Sequence, residues 1–492
     1  MDSFTQNGQP HILIAGATGY VGQRLLKRLL VLGPMVRILV RKPDRLSPGV
    51  HGKQLEIYQG DVLDEPSLKG ALEGIAIAYY LIHSMQAGEG FAARDRLAAA
   101  NFGRAAKAAG VQRIIYLGGL GDSETDLSDH LRSRQETGDV LRRSGVPVTE
   151  FRVGIIVGAG SVSFEMIRNL TERIPLMICP RWVYQRTQPI AIDDVLDYLV
   201  AALEVQEGAG QILEIGGTEV LTYGDLMKSY ALVRGLRRFL VPVPVLTPRL
   251  SSYWVHWTTP LPASMARPLI EGLRSEVIVT NDNAKALFPS IKCSDYATAV
   301  RQALDDLRPD SFSEVLITKA ENVLTAEPTV ESLLDRGMII ETWQVGVKAD
   351  PTIVYNSFAG LGGERGWRPC NLLWVMRTML DRLIGGIGMR RGRPPVEELT
   401  AGDTIDFYRV EEVKSNRGLR LRVEMKLPGT GWLQFETRPA KHQTSLLKLV
   451  VYFAPRGLIG VLYWHGLLPI HRLIFKSLIR SLKTEAEKTQ AG

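Results

Sequence analysis

The chain has 492 residues, of which 45% are hydrophobic and 23% are charged, and its formal net charge at pH 7 is +7. This length predicts two or three domains, and this composition excludes an intrinsically disordered or fibrous protein. The excess of basic over acidic residues, 59 against 52, is small; since no finger, basic zipper or RNP pattern accompanies it, the sequence argues against nucleic-acid binding.

The cysteines are few and widely spaced. Cys179, Cys293 and Cys370 follow no metal-ligand spacing and suggest no disulfide, a pattern typical of a reducing compartment, and we predict no metal site. The N-terminus is polar and lacks the apolar core of a secretory signal. We therefore expect a cytoplasmic protein.

From His11 to about Leu203 the sequence alternates short apolar runs with helical stretches. This alternation is typical of repeated strand-helix units and predicts an α/β fold on a parallel sheet. The predicted strands are His11–Ala15, Val36–Val40, Leu55–Gln59, Ile75–Leu81, Arg113–Gly118, Pro147–Val153 and Ile212–Ile215.

A glycine-rich turn directly follows the first predicted strand. Gly16 permits the tight turn, Gly19 leaves room for backbone to approach a pyrophosphate, and Gly22 allows close packing of helix on sheet. The helix that follows offers free N–H groups to the anion. A plain tight turn is the alternative, but the strand before and the helix after favour a dinucleotide site. Its predicted residues are Gly16, Thr18, Gly19, Tyr20, Val21 and Gly22.

Two cations follow the second predicted strand, where proteins that bind NAD place an acidic residue against the ribose 2′-hydroxyl. Arg41 and Lys42 stand at that corner, and they favour the 2′-phosphate of NADP(H) over NAD(H). The alternative is that both are solvated surface charges. After the third strand come Asp61 and Val62, where the Asp61 carboxylate is expected either to accept from the adenine amine or to cap a helix.

The sequence changes character twice after the predicted parallel sheet. Residues from about 216 to 307 contain proline-rich passages that break long helices, and we interpret them as a small cap. With the sheet they form a first predicted domain, residues 1–308. Residues 309–492 form the second.

The second domain shows strand and helix patterns of its own. Leu419 and Leu421 alternate with Arg420 and Arg422, a period of two that predicts an antiparallel sheet with one buried and one solvated face.

A predicted helix from about Leu458 to Glu487 closes the chain. Its basic residues Arg472, Lys476 and Arg480 recur every four positions beside an apolar face. We expect that face to pack on the sheet, with peripheral membrane contact as the alternative.

Together these motifs carry a family resemblance. Residues 16–22, 60–62, 80–85 and 190–195 resemble the atypical, NmrA-like branch of the short-chain dehydrogenase/reductase (SDR) superfamily, over about residues 10–305. This resemblance implies a Rossmann-type doubly wound parallel sheet with a small cap.

A second resemblance covers about residues 330–485. The segments 402–406, 425–429 and 452–458 resemble the DUF2867 region that is fused to some of these proteins. That region is similar to helix-grip, SRPBCC-like folds, which cradle hydrophobic ligands between a curved sheet and a long helix. The resemblance implies an α+β domain with an antiparallel sheet, and a small hydrophobic substrate or ligand.

The catalytic pattern of the superfamily is altered in this chain. Active members place Tyr-x-x-x-Lys on the helix after the fifth strand, so that the lysine lowers the pKa of a tyrosine that passes a proton to the carbonyl. Here the resemblance places His130 and Arg134 at those positions. An imidazole that titrates near neutrality could donate the proton while Arg134 anchors ribose or phosphate. The alternative is a structural histidine at a helix start.

A further histidine follows the fourth strand. His83 is predicted at the carboxyl edge of the sheet, where ligands of open α/β folds bind, and we expect it to contact the cofactor. A satisfied loop histidine is the alternative.

Two functions are therefore predicted. The first is an NADP(H)-binding oxidoreductase or epimerase that acts on a hydrophobic substrate. The second, suggested by the missing tyrosine and lysine, is a catalytically silent NADP-sensing regulator or assembly protein.

Overall fold

A computed structural model describes most of the chain as two compact units, Met1–Asp306 and Leu307–Gly492. The described residues are 12–43, 54–83, 90–121, 127–243, 275–307, 309, 327–335, 337–367, 379, 381–383, 385–386, 392–394, 398–440 and 444–492. Residues 244–274 of the predicted cap, and Cys370, lie outside them.

The first unit combines strands and helices in alternation. Its strands are β1 (Ile12–Ala15), β2 (Val36–Val40), β3 (Leu55–Gln59), β4 (Ile77–Tyr80), β5 (Arg113–Gly119), β6 (Val148–Val153), β7 (Ile156–Val157), β8 (Leu176–Cys179), β9 (Arg186–Thr187), β10 (Ile190–Ala191), β11 (Ile212–Ile215), β12 (Leu221–Thr222) and β13 (Phe239–Pro242). Its α-helices are α1 (Tyr20–Leu32), α2 (Lys69–Leu72), α3 (Phe91–Ala108), α4 (Asp129–Arg143), α5 (Val162–Arg173), α6 (Ile192–Ala201), α7 (Tyr223–Val233), α8 (Asn283–Leu287) and α9 (Tyr296–Asp305).

Seven of these strands form one parallel sheet in the order β11-β6-β5-β4-β1-β2-β3. The predicted Rossmann-type doubly wound sheet is confirmed, and each predicted strand is present with its ends shifted by at most two residues. The strand order reverses between β1 and β4. In open parallel sheets such a reversal opens a crevice at the carboxyl ends of the strands, where ligands bind.

Burial on both faces explains why β1 reads as an uninterrupted apolar run. Ile12 and Ile14 face a core that α1 and α6 complete, with Leu25 as a member. Leu13 and Ala15 face the opposite core, which α3 and α4 complete. The sheet is therefore covered by helices on both sides, and its first strand ends at the crevice.

The first unit has a further, smaller core that includes residues outside the predicted cap. It joins α7 and α9 with α5, which precedes residue 216, through buried side chains such as Phe164, Tyr230 and Val300. The cap that begins at about residue 216 stays a prediction, and α5, which lies before that residue, shares the core of α7 and α9. The apolar face of α5 is buried against α7, a contact that the proline pattern does not reveal.

The second unit is a seven-stranded antiparallel sheet with helices, as predicted. Its elements are β14 (Thr329–Asp335), β15 (Met338–Val347), α10 (Pro351–Ala359), β16 (Thr404–Ile405), β17 (Tyr408–Lys414), β18 (Gly418–Val423), β19 (Gly429–Pro439), β20 (Ser445–Pro455) and α11 (Gly457–Ala491). The strand order is β14-β15-β20-β19-β18-β17-β16. Side chains of α10 and α11 share one core with the inner face of this sheet, where Phe358 stacks on Phe435 and Phe453 stacks on Trp464.

The face of β18 that was predicted to be solvated is only partly exposed to solvent. Leu419 and Leu421 are buried as expected, but Arg420 is also buried, with 7% of its surface exposed. Its Nη1 lies 3.2 Å from Oε2 of Glu412 on the neighbouring strand. An arginine can be buried when its charge is paired, and an alternating pattern cannot distinguish this from solvation.

The last helix differs between its two halves. In the second half Phe475, Leu478 and Leu482 are buried in the core. In the first half Ile459 and Leu462 are exposed. Among the described helices α11 is long and apolar enough to cross a membrane by length and composition, with 22% of its most apolar stretch buried. Peripheral membrane contact stays a prediction.

Candidate active site

The glycine loop presents bare backbone at the carboxyl end of β1. Gly16 has a φ of +98°, and a Cβ there would lie 2.7 Å from the carbonyl oxygen of Leu81. A Cβ on Gly22 would lie 2.2 Å from the carbonyl oxygen of Gly16. Only glycine fits at these two positions without movement of the backbone.

Helix α1 begins at this loop without a side-chain cap. Gly19 is its N-cap residue, and the first turn, all of which is described, contains no acidic side chain. The N–H groups of a first helical turn have no partner within the helix, and the helix dipole adds a partial positive charge. The loop and helix start are therefore suited to bind an anion such as a diphosphate.

A cleft of about 740 Å³ extends from this loop to α4. The predicted site residues that line it are Gly16, Thr18, Gly19, Tyr20, Val21, Gly22, Arg41, Asp61, Val62, His83, His130 and Arg134. Lys42 is exposed and is not one of the lining residues. Of the two cations at the end of β2, Arg41 therefore lies in the cleft wall and Lys42 does not.

Two polar residues stand at the end of the cleft near β2 and β3. Arg41 is exposed and has no ion pair with any described residue. Asp61 accepts a hydrogen bond at Oδ1 from the backbone N–H of Leu63, 3.0 Å away. The residue before the short 3₁₀ helix Glu65–Leu68 is Asp64, so the interpretation of Asp61 as a helix cap is wrong.

At the other end of the cleft three side chains from separate elements form a chain. His83 Nδ1 lies 3.0 Å from Asp95 Oδ2, and His83 Nε2 lies 3.0 Å from His130 Nδ1. Asp95, on α3, is only 3% exposed. Ser133 Oγ donates to the same carboxylate oxygen over 3.4 Å.

The second residue of the altered catalytic pair, Arg134, is held by β5. Its Nη2 donates to the carbonyl oxygen of Leu117 over 2.7 Å, and the hydroxyl of Tyr116 donates to the Arg134 carbonyl over 2.7 Å. The guanidinium therefore lies at the carboxyl end of β5 within the cleft wall.

The protonation of the histidines differs from the sequence-based expectation. The pKa of His130 is lowered to about 3, mainly by burial and also by the neighbouring His83 and Arg134, while Asp95 opposes these effects. Burial also lowers the pKa of His83, although the hydrogen bond from its ring to Asp95 acts in the opposite direction and raises it. The expectation that His130 titrates near neutrality is wrong, because a buried imidazolium next to a guanidinium is disfavoured. The lowered pKa values favour the neutral form of both rings.

The sequence analysis missed several lining residues. Arg94 lines the cleft from α3, and Met166, Tyr223 and Val277 add a mostly apolar wall from α5, α7 and the segment after residue 274. Asp95 stands between Arg94 and Arg96 in the sequence, a pattern typical of a solvated helix face, so its burial was not predictable. Within the described ranges, no group of three or more His, Cys, Asp or Glu side chains is placed to hold a metal ion.

Comparison with known protein families matches both units. A family described as NAD(P)H-binding matches residues 16–173, and the family DUF2867, described as a protein of unknown function, matches residues 334–478. The first match covers the loop, the cleft and α4. The resemblance to DUF2867 proteins is thereby confirmed.

Two of the similar proteins are reductases. A (4-alkanoyl-5-oxo-2,5-dihydrofuran-3-yl)methyl phosphate reductase from Streptomyces griseus is 32% identical over 219 residues, which cover 43% of this chain and 69% of that protein. A ceramide reductase from Caulobacter vibrioides is 25% identical over 47% of this chain and 73% of that protein.

Solved structures show the same fold. The triphenylmethane reductase of Citrobacter sp. in complex with NADP(H) superposes with a TM-score of 0.50 at 19% identity, covering 59% of this chain and 99% of that one. That likeness concerns the fold. Together with the family matches, the Streptomyces relative shows that the chain belongs to a family of NAD(P)H-binding proteins and carries a C-terminal DUF2867 domain.

Proposed function

We propose that the N-terminal unit is an NADP(H)-dependent oxidoreductase that transfers a hydride to or from a hydrophobic small molecule. The observation that carries this proposal is a single cleft that joins the bare glycine loop and Arg41 at one end to His130 and apolar cap residues at the other. The reductase names of the Streptomyces and Caulobacter relatives support the reaction class.

The residues of the cleft fit a dinucleotide phosphate. The diphosphate would bind the first-turn N–H groups of α1, and Arg41, which forms no ion pair with a described residue, would bind the 2′-phosphate. Asp61 would accept from the adenine amine with its second carboxylate oxygen. When bound, the nicotinamide supplies the hydride, and His130 provides the group that exchanges the proton.

Replacing Arg41 with glutamine should raise the Kd for NADPH about 10- to 100-fold, the loss expected for a hydrogen-bonded charge pair. The Kd for NADH should change little, because NADH has no 2′-phosphate. Titration of nicotinamide fluorescence measures both constants.

Lys42→Gln is the matched control for this experiment. It removes a neighbouring cation that is not part of the cleft wall, so it should leave the preference for NADPH in place. An Arg41 variant that weakens both cofactors equally, or neither, would contradict the assignment of the 2′-phosphate to Arg41.

The alternative proposal, a silent NADP-sensing regulator, makes a different prediction for turnover. For an oxidoreductase, long-chain ketones, sterols and quinones tested with NADPH should include a compound that is reduced, and His130→Ala should slow this reaction about 10²- to 10⁴-fold. For a regulator, NADPH binds, none of these compounds is reduced, and His130→Ala changes nothing. Spectrophotometric NADPH oxidation, with binding measured in parallel, separates the two.

We also propose a fold for the C-terminal unit and a cytoplasmic location for the protein. We propose that the sheet and the helix α11 form a helix-grip fold of the SRPBCC type. The packing of α11 on the inner face of the sheet supports this. The two cysteines within the described residues, Cys179 and Cys293, are free thiols, as suits the cytoplasm.

A further inference from the structure

The chain Asp95–His83–His130 has a defined direction. Ionised carboxylates only accept hydrogen bonds, so the ring nitrogen of His83 that lies 3.0 Å from Asp95, Nδ1, carries the hydrogen. In a neutral ring the other nitrogen, Nε2, then holds a lone pair. It therefore accepts the hydrogen bond from His130 Nδ1–H over 3.0 Å.

This direction leaves His130 with one open position. Because its Nδ1 carries the hydrogen, Nε2 holds a lone pair, and no described residue donates to it. His130 also lines the cleft beside Arg134 and Tyr116. The hydrogen bond to His83 thus orients the His130 ring, and Nε2 can accept a hydrogen bond from a ligand in the cleft.

We propose that Asp95 and His83 are positioning residues that make His130 a proton acceptor for a substrate hydroxyl, and that His83 receives a proton from His130 beside the buried Asp95 carboxylate. This inference rests on the proposed NADP(H)-dependent reaction, in which the nicotinamide takes the hydride. It adds Asp95 and His83 to the altered catalytic pair. These two added residues do not occupy the tyrosine or lysine position of the superfamily.

The proton step balances within the chain. As the substrate O–H bond breaks, a new N–H bond forms at His130 Nε2, and the hydrogen on His130 Nδ1 moves to His83 Nε2. The positive charge then lies on His83, 3.0 Å from the Asp95 carboxylate. The alcohol carbon gives its hydride to NADP⁺ and becomes a carbonyl. In the reduction direction each transfer is reversed.

The surroundings favour the acceptor form. Among the described residues, the charged groups that face the two rings are Asp95 from α3 and Arg134 from α4, and the buried phenol of Tyr116 on β5 stays neutral, since burial raises its pKa. Burial and Arg134 lower the pKa values of both histidines, which favours rings without an extra proton at rest. The Asp95 carboxylate opposes this lowering at both rings and stabilises the proton that His83 receives during the reaction.

Histidine tautomers measured by ¹⁵N NMR test this inference without a substrate. The full-length protein is labelled at histidine, saturated with NADP⁺ and recorded from pH 5 to 8, with His83→Gln and His130→Gln used to assign the signals. We expect both rings to be neutral with hydrogen on Nδ1. In Asp95→Asn, whose amide can donate to His83 Nδ1, both should switch to the Nε2–H form.

Two variants serve as controls. Asp194→Asn changes another buried carboxylate of the same unit, one that accepts from the N–H of Ser294 over 2.9 Å, and should leave both tautomers unchanged. Ser133→Ala removes a weak partner of Asp95 and should also leave them unchanged.

The inference is overturned if His130 carries its hydrogen on Nε2 in the wild type, if either ring is an imidazolium at pH 7, or if Asp95→Asn leaves the tautomers as they were. The wild-type spectrum decides the matter even if Asp95→Asn does not fold. Failure of the proposed function would appear separately, as absent NADPH binding in the titration described above.

Discussion

Replacing Gly22 with alanine should weaken NADPH binding at least about 100-fold, because displacing a ligand-contacting loop by about 1 Å has a cost of this order. The added methyl would lie 2.2 Å from the Gly16 carbonyl oxygen and 2.9 Å from the Gly16 carbonyl carbon. These are backbone atoms, so the loop or the start of α1 must move. Titration calorimetry with NADPH measures the loss.

Two further variants distinguish a displaced loop from a general loss of folding. Gly466→Ala, in α11, places its methyl where nothing lies within 4 Å, and should leave binding and the thermal midpoint unchanged or slightly raised. Within the protein Gly19→Ala meets only the Gly16 carbonyl oxygen, at 3.2 Å, so it should lower the thermal midpoint less than Gly22→Ala does. Unaltered NADPH affinity in Gly22→Ala would refute the proposed role of the loop.

Removing the carboxylate of Glu150 should destabilise the N-terminal unit by about 3–5 kcal/mol, the usual cost of breaking a buried ion pair. Glu150 is fully buried on β6. Its carboxylate forms a hydrogen-bonded ion pair with Arg142, and its Oε1 accepts from Nε of Arg152 over 2.8 Å. Glu150→Ala leaves a cavity and removes the carboxylate that pairs with Arg152, while Arg142 keeps its ion pair with Asp139. Urea unfolding followed by tryptophan fluorescence measures the change.

An exposed ion pair provides the comparison. Glu65 pairs with Arg104 at the surface, 2.6 Å apart, and exposed pairs contribute little, so Glu65→Ala should leave the unfolding midpoint almost unchanged. A Glu150→Ala variant as stable as Glu65→Ala would show that the buried cluster does not hold the sheet together. Because Glu150 lies outside the cleft, NADPH affinity of the folded variant should persist.

Local patterns in the sequence determined the fold class and the position of the cofactor loop. The strands were predictable because a parallel strand is buried on both faces, as Ile12 and Leu13 show, and so reads as a continuous apolar run. The loop was predictable because a side chain at Gly16 or Gly22 would clash with the backbone. The clashing backbone atoms are close in sequence or directly follow the adjacent strand. The period of two in β18 likewise revealed the second sheet.

Only the tertiary structure decided how the catalytic end of the cleft is built. Asp95, His83 and His130 lie on three elements and meet because β4 and the helices α3 and α4 pack side by side, a proximity that no local pattern encodes. Burial then lowers the pKa of His130 far below the value of a free imidazole. Long-range packing also buried Arg420 and left Lys42 outside the cleft wall. The sequence determines which side chains are available, whereas the dielectric environment and the neighbours that set their chemistry arise only when the chain folds.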